Sequence, residues 1–269
     1  MKLYSPHKVY VERAAKDCAR AHTILSRLPP GTPVEEVSDL RALMETLRRH
    51  PDPVGEGKRF LLLARDQGRS FKPFPESEDY FSCDYHTLHV AEGCDLECSY
   101  CILQAYLTNP LLTVYVNIEE MLEKLQAALD QNPEKFFRIG TGQLADSLSL
   151  DHLTGYSEIL VPFFARQKNA VLELKTKSTN IENLLGLNPQ GNTIVSWSMN
   201  SKKIQREEEH KCASIEERIR AAALVSSPPA CRTGRRKRGS KLVEGVRGLY
   251  CIYICNMIWL LCERDSLEF

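Results

Sequence analysis

Three cysteines stand within eight residues, in the run Cys94-Asp95-Leu96-Glu97-Cys98-Ser99-Tyr100-Cys101. Thiolates are soft donors that suit iron–sulfur clusters and zinc. On one short loop, three of them can hold three irons of a cubane [4Fe-4S] cluster and leave the fourth iron open to a substrate or cofactor. No further cysteine lies close enough in sequence to close the set, since Cys83 sits across the segment 85–90. The competing reading is zinc, with His86 or His89 as fourth ligand. The remaining cysteines, Cys18, Cys83, Cys212, Cys231, Cys251, Cys255 and Cys262, are scattered and are expected not to ligate the cluster.

Such a loop needs a rigid frame. Residues 85–90 alternate as a strand and run directly into Ala91-Glu92-Gly93-Cys94. Strand and helix then alternate by apolar periodicity: helix 118–130, strand 136–140, helix 153–167, strand 171–175, a short helix 181–187, strand 193–198 and helix 214–225. Repeated strand–helix units imply an α/β fold on a parallel sheet, open or curled into a barrel, with its chemistry at the C-terminal strand ends. The cysteine loop follows the first strand of the series and lies at that end.

The flanks differ from this middle part. Residues 1–84 read as a small α/β extension with helices over 11–28 and 40–49, a buried strand over 59–64 and a linker over 66–80. Ser38 or Asp39 is the expected cap of the second helix. Residues 226–269 break the strand–helix rhythm. A basic tract (Arg232, Arg235, Arg236, Lys237, Arg238, Lys241) precedes an almost wholly apolar run over 249–262 that suits one strand. The segment is expected to be divergent and to stand apart from the barrel.

Composition sets outer bounds. Thirty-five basic and thirty-five acidic side chains give no net charge, which excludes a global basic field. Contact with nucleic acid must therefore be local. The 43% of hydrophobic residues suffices for a core and excludes a disordered or collagen-like chain. No run of eighteen apolar residues is present, so no membrane span is expected. Residues 1–10 lack a signal-peptide apolar region, which points to the cytoplasm, where thiols stay reduced.

The Cys-x3-Cys-x2-Cys spacing with an aromatic before the last cysteine resembles the radical S-adenosylmethionine superfamily. Its surroundings resemble the spore photoproduct lyase-like (DNA repair photolyase-like) branch. The stretches that carry this are Gly93 through Gln104, Thr113-Val114-Tyr115-Val116-Asn117, Asp151-His152-Leu153 and Ser198-Met199-Asn200-Ser201. The resemblance implies a partial (β/α) barrel over 85–225 and a carbon–carbon lyase using a [4Fe-4S] cluster and S-adenosyl-L-methionine. It implies hydrogen abstraction by a 5′-deoxyadenosyl radical, in repair of a thymine dimer. Cys94, Cys98 and Cys101 would hold the metal. DNA would be the partner, and a flavodoxin or ferredoxin the electron donor.

The same resemblance assigns further positions. Gly140 and Gly142 would line a turn contacting the methionyl amine, or form an ordinary strand-end turn. Lys177 and Ser198 match family positions that contact S-adenosylmethionine. Asp146 would hold a polar group of that cofactor, or cap a helix. Tyr100 matches a tyrosine beside the third cluster cysteine. Gln143 falls where the family has a hydrogen-donating cysteine, and Ile102 where it has a second tyrosine. Four strand–helix units precede residue 225, where the superfamily has six. The alternatives are therefore radical modification of RNA or protein, or a catalytically impaired iron–sulfur binding protein.

Overall fold

The computed structural model describes residues 1–75 and 84–226, and the backbone of 251–255. Cys83, Cys231, Cys262, the basic tract and most of the apolar run lie outside the described residues. The strands are β1 (Lys8–Glu12), β2 (Val34–Val37), β3 (Phe60–Ala64), β4 (Phe71–Pro73), β5 (Tyr85–Leu88), β6 (Ala91–Glu92), β7 (Leu112–Tyr115), β8 (Phe137–Gly140), β9 (Ala170–Thr176), β10 (Thr193–Ser198) and β11 (Cys251–Cys255). The helices are α1 (Ala19–Ser26), α2 (Leu40–Arg48), α3 (Pro53–Gly57), α4 (Leu103–Tyr106), α5 (Ile118–Asp130), α6 (Asp151–Thr154), α7 (Ser157–Ala165), α8 (Lys202–Glu208) and α9 (Ile215–Ser226).

Two sheets form. The first runs β2-β1-β3-β7-β6 and the second β11-β10-β9-β8-β5-β4. In the second, β5, β8, β9, β10 and β11 are mutually parallel and only β4 is antiparallel. The strands between its edges are buried along nearly their whole length, as a sheet covered on both faces requires. Leu172, Leu174, Val195 and Trp197 are fully enclosed, and one apolar core joins them to Val9, Leu61 and Val114 of the first sheet. The second sheet is open among the described residues, with β4 and β11 at its edges.

α5 forms where the 3.6-residue period predicts it. Ile118, Met121, Leu122, Leu125 and Leu129 face inward, and two glutamates in its first turn suit the helix dipole. α2 starts at Asp39, whose carboxylate accepts from Ala42 N at 3.0 Å. Other expectations are corrected. Instead of one helix over 11–28, the chain makes β1, a 3-10 turn (Arg13–Ala15) and α1. β1 lies between β2 and β3, so Val9, Tyr10 and Val11 are all buried. Burial on both faces of the strand removes the alternation that would have marked it. The expected linker contains β4, which pairs antiparallel with β5. The expected helix over 153–167 breaks at Gly155, whose φ of +61° ends α6 in a left-handed turn before α7 begins. Residues 251–255 add a parallel strand to β10, so this part of the C-terminal segment does not stand apart from the sheet.

Three strands also cross the expected boundary at residue 84. β4 joins the second sheet, and β7 and β6 join the first beyond β3.

Candidate active site

The cysteine loop spans from β6 to α4, and its path is fixed at both ends. Gly93 opens it with φ +84°, and a Cβ there would lie 2.9 Å from Leu112 Cδ2 and 3.2 Å from Leu111 O. Its amide donates to Leu144 O at 2.9 Å, tying the loop to the turn after β8. At the far end Cys101 N donates to Cys98 O at 3.1 Å, and Gln104 N to Cys101 O at 3.1 Å, which begins the helical winding of α4.

A second segment, residues 208–213, clamps the loop from outside. Ser99 N donates to Glu208 O at 2.9 Å and Lys211 N to Leu96 O at 3.2 Å, and Cys98 and Glu209 form an antiparallel bridge. Lys211 also reaches the Glu97 carboxylate, while Ala213 N donates to Lys177 O at 3.2 Å, linking the clamp to the end of β9.

The residues expected at the site sort into two groups. Tyr100 and Lys177 converge with Glu209, which sequence reasoning missed. The Tyr100 hydroxyl donates to Glu209 Oε1, and Lys177 Nζ lies 3.9 Å from the same oxygen and 5.2 Å from the Tyr100 ring centre. Asn200 donates to the Tyr100 hydroxyl at 2.9 Å and to Glu209 Oε1 at 2.8 Å. Arg218 donates to Glu209 Oε2 and, at 2.7 Å, to the carbonyl of Ser198. Burial works against the Glu209 charge, but hydrogen bonds from Tyr100 and Arg218 prevail and hold its pKa below the ordinary carboxylate value. The Tyr100 hydroxyl is pushed the other way, by burial and then by Glu209. No local signal in the sequence marks Glu209, because the run Arg206 to Lys211 reads as a solvated charged face.

Gly140, Gly142, Gln143 and Asp146 form the second group, on the turn after β8. The space that a Gly140 side chain would fill is taken by the Tyr85 hydroxyl, 1.7 Å from an ideal Cβ. At Gly142 it is taken by Lys175 Cβ at 2.8 Å and Ser147 Oγ at 3.0 Å. Tight internal packing thus accounts for both glycines. Asp146 makes no helix cap of its own. Its carboxylate accepts from Leu148 N, Ser149 N, Thr176 Oγ1 and Lys177 N at 2.7–3.0 Å, pinning the turn to the end of β9. Gln143 points past the end of β5, where its Oε1 accepts from His89 Nε2 at 2.7 Å.

The three thiols are free and divided. Cys94 and Cys101 line one cleft with Lys58, Gln104 and Asn109. Cys98 turns to the clamp instead, its sulfur 3.4 Å from that of Cys212. Burial pushes the Cys94 thiol well above its usual pKa. The hydrogen bond from Cys212 brings Cys98 down to about 7, and Cys212 itself is raised. Among the described residues, no three His, Cys, Asp or Glu side chains already converge as a bound metal ion requires. The donor set nevertheless fits an iron–sulfur cluster, as three unpaired soft thiols on one loop. A cluster held by all three thiols would require Cys98 to turn from Cys212. His86 is engaged elsewhere: its Nδ1 meets Asp84 O at 2.6 Å and its ring packs on Phe71 and Phe137.

Comparison with known proteins decides the family. The family model for spore photoproduct lyase matches residues 70–230, a stretch that holds the loop, the clamp and the ends of β8 and β9. The chain belongs to the spore photoproduct lyase family.

Spore photoproduct lyase of Geobacillus sp. (strain Y412MC61) is 28% identical over 142 residues, which cover 52% of this chain and 42% of that protein. The enzyme of Bacillus subtilis (strain 168) is 27% identical over the same shares. The chain thus spans less than half the length of these two relatives. A solved spore photoproduct lyase mutant with bound AdoMet and dinucleoside spore photoproduct superposes with a TM-score of 0.73 at 22% identity, covering 84% of this chain and 65% of that one. A second, complexed with dinucleoside spore photoproduct, gives 0.72 at 22% identity. The mixed, largely parallel α/β architecture is therefore that of the solved spore photoproduct lyases.

Proposed function

We propose that this spore photoproduct lyase family chain is a radical S-adenosylmethionine protein acting on a thymine-dimer lesion in DNA. The observation that carries the reading is the Cys94–Cys98–Cys101 loop, which leaves β6 and is tied to the turn after β8 and, through the clamp, to the end of β9, within the stretch that the family model matches. Cys94, Cys98 and Cys101 would hold a [4Fe-4S] cluster. When bound, the cluster would supply one electron to S-adenosylmethionine, and the chemistry gained would be hydrogen-atom abstraction from substrate by a carbon radical.

The chain's own residues position and exclude. Leu96 of the loop and Leu144, whose carbonyl accepts from Gly93, are both buried and put apolar side chains beside the loop. Glu209 holds Tyr100 and Lys177 against each other at the strand ends. Ser198 presents its carbonyl to Arg218. We assign cofactor contacts to Lys177, Ser198 and the Gly140–Asp146 turn, with Tyr100 and Gln143 nearest the chemistry. DNA is the proposed macromolecular partner, a flavodoxin or ferredoxin the electron donor, and the cytoplasm the location. No helix among the described residues is long and apolar enough to cross a membrane.

Anaerobic reconstitution with iron and sulfide, followed by reduction with dithionite in the presence of S-adenosylmethionine, tests the reading. Release of 5′-deoxyadenosine supports it, and a tightly bound zinc with no iron uptake overturns it. A second reading, radical modification of RNA or protein, is favoured by Gln143, because an amide bound to His89 is a poor hydrogen-atom donor. Product analysis on ultraviolet-treated DNA separates the two. If the lesion is the substrate, Gln143→Cys raises the yield of clean thymine.

A further inference from the structure

Cys212 lies 114 positions from Cys98, yet the two sulfurs are 3.4 Å apart. The contact is built in. The segments carrying them are stitched by Ser99 N to Glu208 O, by Lys211 N to Leu96 O and by the Cys98–Glu209 bridge. The enclosed Arg218–Glu209 ion pair fixes the clamp behind them. Cys98 is therefore aimed at a thiol outside its own loop, while Cys94 and Cys101 share a different cleft. Cys98 is buried and Cys212 only half-buried, so Cys212 is the more accessible residue of the pair.

We infer that Cys98 and Cys212 are a modification site: an intramolecular disulfide that forms in the cluster-free protein by exchange with a low-molecular-weight disulfide such as oxidised glutathione. One thiolate of the pair attacks a sulfur of glutathione disulfide, forming a mixed disulfide and releasing one glutathione thiolate. The second protein thiol gives up its proton and attacks the protein-side sulfur of that mixed disulfide, releasing the second glutathione. Two protein thiols are oxidised, one glutathione disulfide is reduced to two glutathiones, and the two protons end on those glutathiones. The sulfurs must close by somewhat more than 1 Å to reach the usual bond length of about 2.05 Å. The bond would withdraw the middle thiol of the cluster trio, a consequence that rests on the cluster reading, whereas the disulfide itself does not.

The experiment incubates the full-length, iron-free chain with oxidised glutathione, alkylates the remaining thiols and maps the peptides by mass spectrometry. The expected result is one linked pair of peptides carrying Cys98 and Cys212, reversed by dithiothreitol. In Cys212→Ser the linkage is lost and Cys98 is recovered alkylated or as the glutathione adduct. A Cys94–Cys98 or Cys98–Cys101 bond in the native sequence, or no protein disulfide at all, overturns the proposal. A second measurement compares iron uptake by reduced and oxidised protein. Loss of uptake on oxidation in the native chain but not in Cys212→Ser supports the withdrawal of Cys98, and equal loss in both argues against it. If the linkage forms but neither protein takes up iron when reduced, the disulfide stands and the cluster reading falls.

Discussion

Arg218 and Glu209 form an ion pair in which neither side chain is exposed. Desolvating two charges is costly, and the pair holds only because Tyr100 and Asn200 complete the carboxylate's hydrogen bonds. Removing one partner strands the other. Glu209→Ala should therefore cost about 3–5 kcal/mol of stability in urea titration. Glu209 is held below the ordinary carboxylate pKa, so its contribution is complete above the unfolded value of about 4.3 and is lost as pH falls through the folded value. The urea midpoint should drop on acidification below about pH 4, and drop less in Glu209→Gln.

The cysteine trio makes a separate prediction. Cys94→Ala, Cys98→Ala or Cys101→Ala should each abolish iron uptake on anaerobic reconstitution, because each removes one thiolate of the set. Cys18→Ala should leave iron content unchanged, since its sulfur meets Arg65 instead. Iron and sulfide assays on the purified proteins measure both.

His89 offers a pH test in a different window. Burial lowers its pKa, and the hydrogen bond to Gln143 only partly offsets this. A histidine buried neutral contributes stability that is complete above the unfolded value of about 6.5 and is lost as pH falls through the lower folded value. Thermal unfolding between pH 5 and pH 7 should show this slope in the native chain. The slope should be absent from His89→Gln.

Gly140 tests the packing of the turn. Because an ideal Cβ would sit 1.7 Å from the Tyr85 hydroxyl, Gly140→Ala forces the ring aside. The expected cost is about 1–3 kcal/mol, in the range for overpacked interiors. Tyr85→Leu in the same chain should recover part of it. An unchanged urea midpoint in the single variant would show that the ring moves freely.

These residues also show what the sequence carries and what it does not. The parallel sheet was legible because β9, β10 and α5 declare their periods within their own residues. The cysteine loop was legible because its ligand spacing is local. β1 was not, because a strand flanked on both sides buries consecutive residues and blurs into a helical pattern. β7 was not, because pairing with β3 is decided by residues some fifty positions away. Glu209, Arg218 and Cys212 were hidden for the same reason. Each is ordinary in its own neighbourhood and gains its role from a partner brought up by the fold.

The exchange of strands between the two sheets has a bearing on how this region is inherited and handled. Removing residues 85–226 would strip β6 and β7 from the first sheet, and removing residues 1–75 would strip β4 from the second. Neither portion is a self-sufficient cassette that recombination could graft elsewhere intact. The portions interlock like the halves of a clasp, so protease nicking or truncation on one side should loosen the other, and heat should melt both in a single transition.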